Sequence, residues 1–159
     1  MKNPQSKEDK LTWKQKLIHL CINLLELRIQ HAELAMEQAQ ESANSSDKSS
    51  AGDKFETSRA MGHLERDMNA KQAAEAIRDL GFIKSIQIDK IYSDVTLGAI
   101  AICNGQCFFV STGLGPHKLN DTEVVFLSQK APFAVALISK KAGDSFSFNG
   151  KDFNITEVF

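Results

Sequence analysis

Two carboxylates three residues apart are the strongest candidates for chemistry in this chain. Asp53 and Glu56 follow Gly52, and on a helix a spacing of three residues brings both side chains to one face. Two carboxylates on one helix face can contact the same ligand. The pair is therefore the first candidate for a functional site in this chain.

The same spacing also has a structural interpretation. An acidic residue at a helix start, followed three positions later by Glu, is the pattern of a capping box. Asp53 would then accept hydrogen bonds from backbone N–H groups of the first turn, and Glu56 would bond back to it. Lys54 lies between the two acids and could form an exposed ion pair with either of them, although such pairs are weak. The sequence leaves these interpretations open.

Basic residues accompany the two acids. Lys48, Lys54 and Arg59 lie within a few positions of them, and solvation is the usual role of such scattered charges. The chain of 159 residues has a formal net charge of −1, which argues against a generally basic binding surface. Any contact with nucleic acid is therefore expected to be local.

A helical hairpin is predicted to position these residues. Residues 1–10 are polar and predict a flexible N-terminal arm. After them, apolar side chains recur at spacings of three and four, which predicts one buried seam along a first helix. The predicted seam consists of Leu17, Leu20, Leu24, Leu27, His31 and Leu34. It leaves Lys14 among the residues outside.

A turn and a second helix follow. The run 42–52 is rich in Ser, Asn, Asp and Gly, so the chain is expected to turn there. A second helix is predicted from about Asp53 to Leu80, and its expected apolar side consists of Met61, Leu64, Met68, Ala74 and Ile77. Residues 11–81 thus form an antiparallel coiled-coil hairpin with a tip loop at 42–56. Roughly 28 residues per arm give a length on the order of 40 Å.

The rest of the chain, 82–159, predicts a small β domain with one short helix. Strands are expected around Ile86 to Ile88 and at 95–103, 108–111, 123–127, 145–148 and 152–158, and a short helix at 132–138. Two Asn-Gly pairs, at 104–105 and 149–150, are typical of two-residue hairpin turns. Antiparallel strands around one helix make an α+β fold.

The cysteines and the apolar segments bear on the compartment. Cys21, Cys103 and Cys107 are an odd number without framework spacing, which favours a reducing, cytoplasmic environment. The four-residue spacing of Cys103 and Cys107 is a poor zinc pattern, so buried small side chains are the preferred interpretation. Charged and polar residues interrupt the apolar stretch 17–27, so no membrane partner is expected.

Two segments resemble the Gre-type transcript cleavage factors. Gly52-Asp53-Lys54-Phe55-Glu56 is similar to the family's tip sequence Gly-Asp-Leu-Ser-Glu. The run 132–138, Pro-Phe-Ala-Val-Ala-Leu-Ile, followed by Lys-Lys-Ala-Gly-Asp at 140–144, is similar to the family's C-terminal signature. With the hairpin between them, the resemblance covers most of the chain from residue 11 onward.

The resemblance implies a fold and a function. It implies an FKBP-like C-terminal domain that docks on bacterial RNA polymerase, and a hairpin that enters the secondary channel of the polymerase. Asp53 and Glu56 would help hold a second Mg²⁺ at the polymerase active site, and the ion would promote cleavage of a backtracked transcript. Lys48, Lys54 and Arg59 would contact the 3′ portion of the nascent RNA. The protein would be a monomeric accessory factor without enzymatic activity of its own.

Two alternatives belong to other functional classes. One is a regulator that occupies the secondary channel without stimulating cleavage; the family's Leu and Ser at the tip are Lys54 and Phe55 here. The other is an unrelated module in which the coiled coil binds a partner or an adaptor. Replacing the two acids separates a cleavage factor from a channel-occupying regulator, and binding to polymerase separates both from the adaptor.

Overall fold

A computed structural model describes residues 6–46 and 52–159 of the chain. Two long helices come first, α1 (Lys7–Ser46) and α2 (Gly52–Lys84). Six strands and one short helix follow: β1 (Ile100–Cys103), β2 (Gln106–Ser111), β3 (Gly115–Leu119), β4 (Thr122–Ser128), α3 (Pro132–Leu137), β5 (Ser145–Phe148) and β6 (Lys151–Val158). The predicted α+β class, with an N-terminal helical hairpin, is confirmed.

Helix α1 begins earlier and ends later than the sequence pattern indicated. The Ser6 backbone N–H donates to Asp9 Oδ2 at 3.2 Å, and the Asp9 N–H donates to Ser6 Oγ at 3.0 Å. This reciprocal cap starts the helix at Lys7, inside the predicted arm. Residues 1–5 of that arm lie outside the described part of the chain.

The predicted tip loop at 42–56 starts too early, because α1 continues to Ser46. Helix α2 begins at Gly52, within one residue of the helix start predicted near Asp53. Near the end of α1, Gln40 donates to Asn44 Oδ1 at 3.0 Å, an i to i+4 contact of the kind that stabilises a helix. Contacts of this kind stabilise helical turns in a segment whose composition indicated a loop. Residues 47–51 lie outside the described residues.

The predicted apolar seam of α1 is confirmed only near its start. Leu17 is fully buried and Leu20 and Leu24 are half-buried, whereas Leu27 and Leu34 are 50% and 54% exposed and His31 is exposed. The other buried positions lie about one residue later in the pattern: Ile18, Cys21, Leu25, Ala32 and Ala39. Lys14, which was expected outside the seam, is fully buried.

The predicted apolar side of α2 is also wrong. Met61, Leu64, Met68 and Ile77 are all more than half exposed, and Ala74 is exposed too. Alanines occupy the buried side, where Ala73 and Ala76 are 7% and 1% exposed. Small side chains let two helices approach closely. The largest apolar side chains therefore did not mark the contact face.

Two compact units divide the chain. One contains residues 23–81 and is the helical hairpin, in which Arg66 Nη1 donates to Gln40 Oε1 at 3.1 Å across the two helices. The other contains the described residues through Ile22 together with 82–159. The first turns of α1 therefore belong to the unit that holds the sheet.

The six strands form one mixed sheet in the order β3-β4-β2-β1-β6-β5. Strands β2 and β4 are parallel, and Phe108 lies opposite Val125. The expectation of a purely antiparallel domain is therefore wrong. Both Asn-Gly turns are confirmed: Asn104 and Asn149 have φ of 49°, and the following glycines have φ of 79° and 75°. Positive φ at both central positions is the requirement of a type I′ hairpin.

One predicted strand is absent from the structure, and one observed strand was not predicted. Residues 86–99 contain no strand, apart from an isolated bridge between Asp94 and Lys141. Strand β3 was not predicted because its sequence, Gly-Pro-His-Lys-Leu, lacks the usual β-formers. It is an edge strand that pairs only with β4, and an edge is where a sheet accepts proline.

Aromatic side chains fill the core on one face of the sheet. Phe133 of α3 stacks on Phe108 at a centroid distance of 4.6 Å and meets Phe146, Phe148 and Phe153 edge-on at 5.0 to 5.4 Å. Pro132 at the first helical position starts α3 as predicted. The helix supplies the central ring of this cluster.

Helix α1 contacts the sheet-bearing unit through its first turns. Trp13 lies 6.2 Å from Phe159 between ring centroids, and Lys10 forms an ion pair with Glu157. Cys21 Sγ lies 3.6 Å from Thr112 Oγ1. These contacts attach the N-terminal part of the helix to β6 and to the end of β2.

Candidate carboxylate site at the hairpin turn

Helix α2 carries both predicted acidic positions in its first two turns. The helix begins at Gly52, so residues 53 and 56 are its second and fifth residues. Their spacing of three on a regular helix brings the two positions to one side. The Glu56 side chain is exposed, as are its neighbours Thr57 and Arg59. The side chain of Asp53 lies outside the described part of the structure.

The helix bounds bear on the capping interpretation. A capping box places its first residue at the N-cap, immediately before the helix. Since α2 already includes Gly52, Asp53 lies within the helix. Carboxylates in the first turn also interact favourably with the partial positive charge of a helix N-terminus. The bounds place both acidic positions within the first two turns of α2.

The three basic candidates differ in how the structure describes them. Arg59 is exposed on α2, one turn beyond Glu56. Lys54 lies on α2 with its side chain outside the description, and Lys48 lies wholly outside the described residues. The structure therefore brings Arg59 and Glu56 onto the same two turns of helix.

Two carboxylates suit a shared magnesium site better than an independent one. In the described part of the chain, no group of three or more His, Cys, Asp or Glu side chains is arranged to hold a metal. The acidic pair has the oxygen chemistry that Mg²⁺ prefers, and this ion commonly binds through one or two carboxylates together with phosphates and water.

The three cysteines are buried and none of them forms a disulfide bond, and the burial of Cys103 and Cys107 was expected. Burial raises the pKa of the Cys103 thiol to about 11 and raises that of Cys107 further. Since the thiolate is the reactive form, neither cysteine is set up as a nucleophile. Cys103 belongs to the apolar core cluster, so these two residues act as small hydrophobic side chains.

A buried lysine was missed by the sequence interpretation. Lys14 Nζ donates to the Lys90 carbonyl oxygen at 2.7 Å and lies 4.4 Å from the centroid of the Tyr92 ring. The Lys90 amine lies 4.8 Å from the same ring. Tyr92 and Lys90 also line a cavity of about 690 Å³ formed by the segment 85–97. The spacing of Lys14 from Ile18, Cys21 and Leu25 is the signal that would have placed it on the buried face.

The environment of Lys14 lowers its pKa. Burial is the main cause and the nearby charge of Lys90 adds to it, while Asp89 opposes both, so the pKa falls from 10.5 to about 8. Burial also raises the pKa of Tyr92. Lys14 therefore loses its proton at a lower pH in the folded protein than in the unfolded chain.

This shift predicts a pH dependence of stability. Between pH about 8 and 10.5 the unfolded chain keeps the Lys14 proton and the folded protein does not. The free energy of unfolding is therefore expected to rise with pH in this interval through Lys14. Urea unfolding at several pH values should show a smaller rise for Lys14→Met than for the wild type. The exposed Lys16→Met is the control and should retain the wild-type slope; equal slopes for Lys14→Met and wild type would contradict the assignment.

Comparisons with known proteins do not assign the chain to a family. No protein-family model matches it, and searches of curated proteins and of solved structures find no match. Among the described residues, none of the helices combines the length and apolarity needed to cross a membrane. A function for the chain is therefore inferred from its own residues.

Proposed function

We propose that this chain is a Gre-like transcription factor that binds bacterial RNA polymerase and promotes cleavage of backtracked transcripts. The observation that carries the proposal is the place of the acidic pair. Positions 53 and 56 occupy the first two turns of α2, close to the end of the hairpin at which α1 ends and α2 begins. An inserted hairpin would present the two carboxylates at its leading end.

The dimensions of the hairpin support this role. Within the hairpin unit, residues 23–46 of α1 and 52–81 of α2 are helical. At 1.5 Å per residue these arms are about 36 Å and 45 Å long. Two paired helices of this length can carry a short acidic segment into a deep channel. The sheet with its single short helix would be the FKBP-like domain that docks on the polymerase surface.

Asp53 and Glu56 would act only in the complex with polymerase. A second Mg²⁺ bound there would activate the attacking water and stabilise the charge that develops on the phosphate. The chain's own part is to supply carboxylate oxygens at the end of a rigid helical element. Lys48, Lys54 and Arg59 would hold the 3′ portion of the nascent RNA through its phosphates. The factor would thus be a cytoplasmic, monomeric accessory protein and not an enzyme by itself.

The test is transcript cleavage in purified, stalled and backtracked elongation complexes with Mg²⁺. The wild-type protein is expected to shorten the transcripts, and to leave the same RNA intact when polymerase is omitted. Binding to polymerase is measured alongside by gel filtration of the mixture. Binding without cleavage would instead identify a regulator that occupies the channel, and absence of binding would exclude both polymerase-directed functions.

A further inference from the structure

Helix α1 has a second apolar stripe, on the side away from its buried face. It consists of Leu24, Leu27, His31 and Leu34, and is called the outer stripe below. Leu27 and Leu34 are 50% and 54% exposed. The inner face, with Leu25 and Ala32, is buried in the hairpin. Leu24 is half-buried, so the exposed part of the outer stripe is at Leu27 and Leu34, whose apolar surfaces are costly to leave in water.

The spacing of the outer stripe specifies the shape of an occupant. Its residues follow intervals of three, four and three, the a and d positions of a heptad repeat. A stripe of this period fits the apolar face of another helix. A partner with a flat or irregular surface would not require apolar residues at alternating intervals of three and four.

The charge beside the outer stripe specifies the chemistry of the occupant. Residues 23–46 contain four glutamates and a single arginine, Arg28, a formal net charge of −3 in a chain whose total is −1. Glu33 and Glu37 are exposed and line a cavity of about 300 Å³ together with Gln30 and Leu34. A lysine or arginine side chain would pair with both carboxylates there while its methylene groups contact Leu34.

We propose that the outer stripe binds a basic amphipathic helix of a partner protein. The partner's leucine-like residues would pack on Leu24, Leu27 and Leu34, and its lysines or arginines would face the glutamates beside them. Pairing of two copies through the same stripe is disfavoured because it would bring the acidic flanks together. This proposal goes beyond the polymerase function and stands without it, since it uses neither Asp53 nor Glu56.

The experiment measures binding of two labelled three-heptad peptides to the full chain by fluorescence anisotropy. Both peptides carry Leu at a and d; one carries Lys and the other Glu at the flanking e and g positions. The basic peptide is expected to bind with a Kd below about 100 µM and the acidic peptide at least about tenfold more weakly. Raising the salt from about 0.1 M to about 1 M should weaken the basic complex by screening its ion pairs.

Variants assign the binding to the outer stripe. The double variant Leu27→Gln/Leu34→Gln should weaken binding of the basic peptide at least about tenfold. The double variant Glu33→Gln/Glu37→Gln should remove most of the salt dependence of that binding. The control is Ile77→Gln/Val135→Gln, two residues that are 54% and 62% exposed elsewhere, and it should bind as the wild type does. Circular dichroism confirms that each variant is folded.

Three outcomes would overturn the proposal. The first is equal binding of the two peptides, and the second is a basic-peptide affinity that Leu27→Gln/Leu34→Gln leaves unchanged. The third is that the wild-type chain sediments as a dimer and the same double variant sediments as a monomer. That last result would make a second copy the occupant.

Discussion

Transcript cleavage is expected to fall by about 100-fold or more in the double variant Asp53→Ala/Glu56→Ala, because preorganised groups that stabilise transition-state charge each contribute on this scale. Binding to polymerase should be retained, since the substitutions remove only carboxylates near the start of α2. The measurement compares initial rates of transcript shortening in backtracked complexes with Mg²⁺. Raised Mg²⁺ should partly restore activity if the carboxylates contribute to metal affinity.

A matched control separates the position of the charges from their number. Glu65→Ala/Glu75→Ala removes two exposed acids from the same helix and should cleave as the wild type does. Equal loss in both double variants would mean that the net charge of α2 matters and that the acidic pair has no special role. Full cleavage by Asp53→Ala/Glu56→Ala would show that these carboxylates do not hold the metal.

The largest expected effect on stability in the aromatic cluster is at Phe133, which is half-buried. Its ring contacts Phe108, Phe146, Phe148 and Phe153 at centroid distances of 4.6 to 5.4 Å. Replacement by alanine removes the central ring of the cluster, so Phe133→Ala is expected to reduce the free energy of unfolding by about 2 to 4 kcal/mol.

Urea unfolding followed by fluorescence measures this loss. Trp13, the one tryptophan of the chain, lies 6.2 Å from Phe159 in the same compact unit and reports on its unfolding. The control is Val135→Ala on the same helix, which is 62% exposed and should change stability by no more than about 0.5 kcal/mol. A loss below about 1 kcal/mol for Phe133→Ala would contradict the central role of this ring.

Local signals in the sequence determined the turns and the short helix. Asn104-Gly105 and Asn149-Gly150 adopt the positive φ values that their composition predicted. Pro132 starts α3 because a proline at the first helical position loses no backbone hydrogen bond. These features depend on a few adjacent residues, so they could be predicted without knowledge of the fold. The two acidic positions of the candidate site are of the same kind, since their spacing on one helix is a local property.

The arrangement of the sheet depended on tertiary structure. Strand β3 has a weak β sequence and exists as the edge partner of β4. The parallel pairing of β2 with β4 joins strands that are separated along the chain by β3. Strand neighbours of this kind follow from the packing of the whole domain and not from periodicity.

The sequence by itself determined that two long helices precede a β domain, that a polar segment joins the helices, and that two carboxylates lie at the start of the second. Only the tertiary structure decided which faces are buried. Ala32 and Ala76 are buried, as is Leu25, while Leu27 and Leu34 remain half exposed. The physical reason is that burial depends on which face of each helix packs against the rest of the structure, so a small side chain on that face is buried and a large one on another face is not. Lys14 is a further case, since a residue type that is usually exposed is buried here. Its burial depends on Lys90 and Tyr92, which lie more than seventy residues away in the chain.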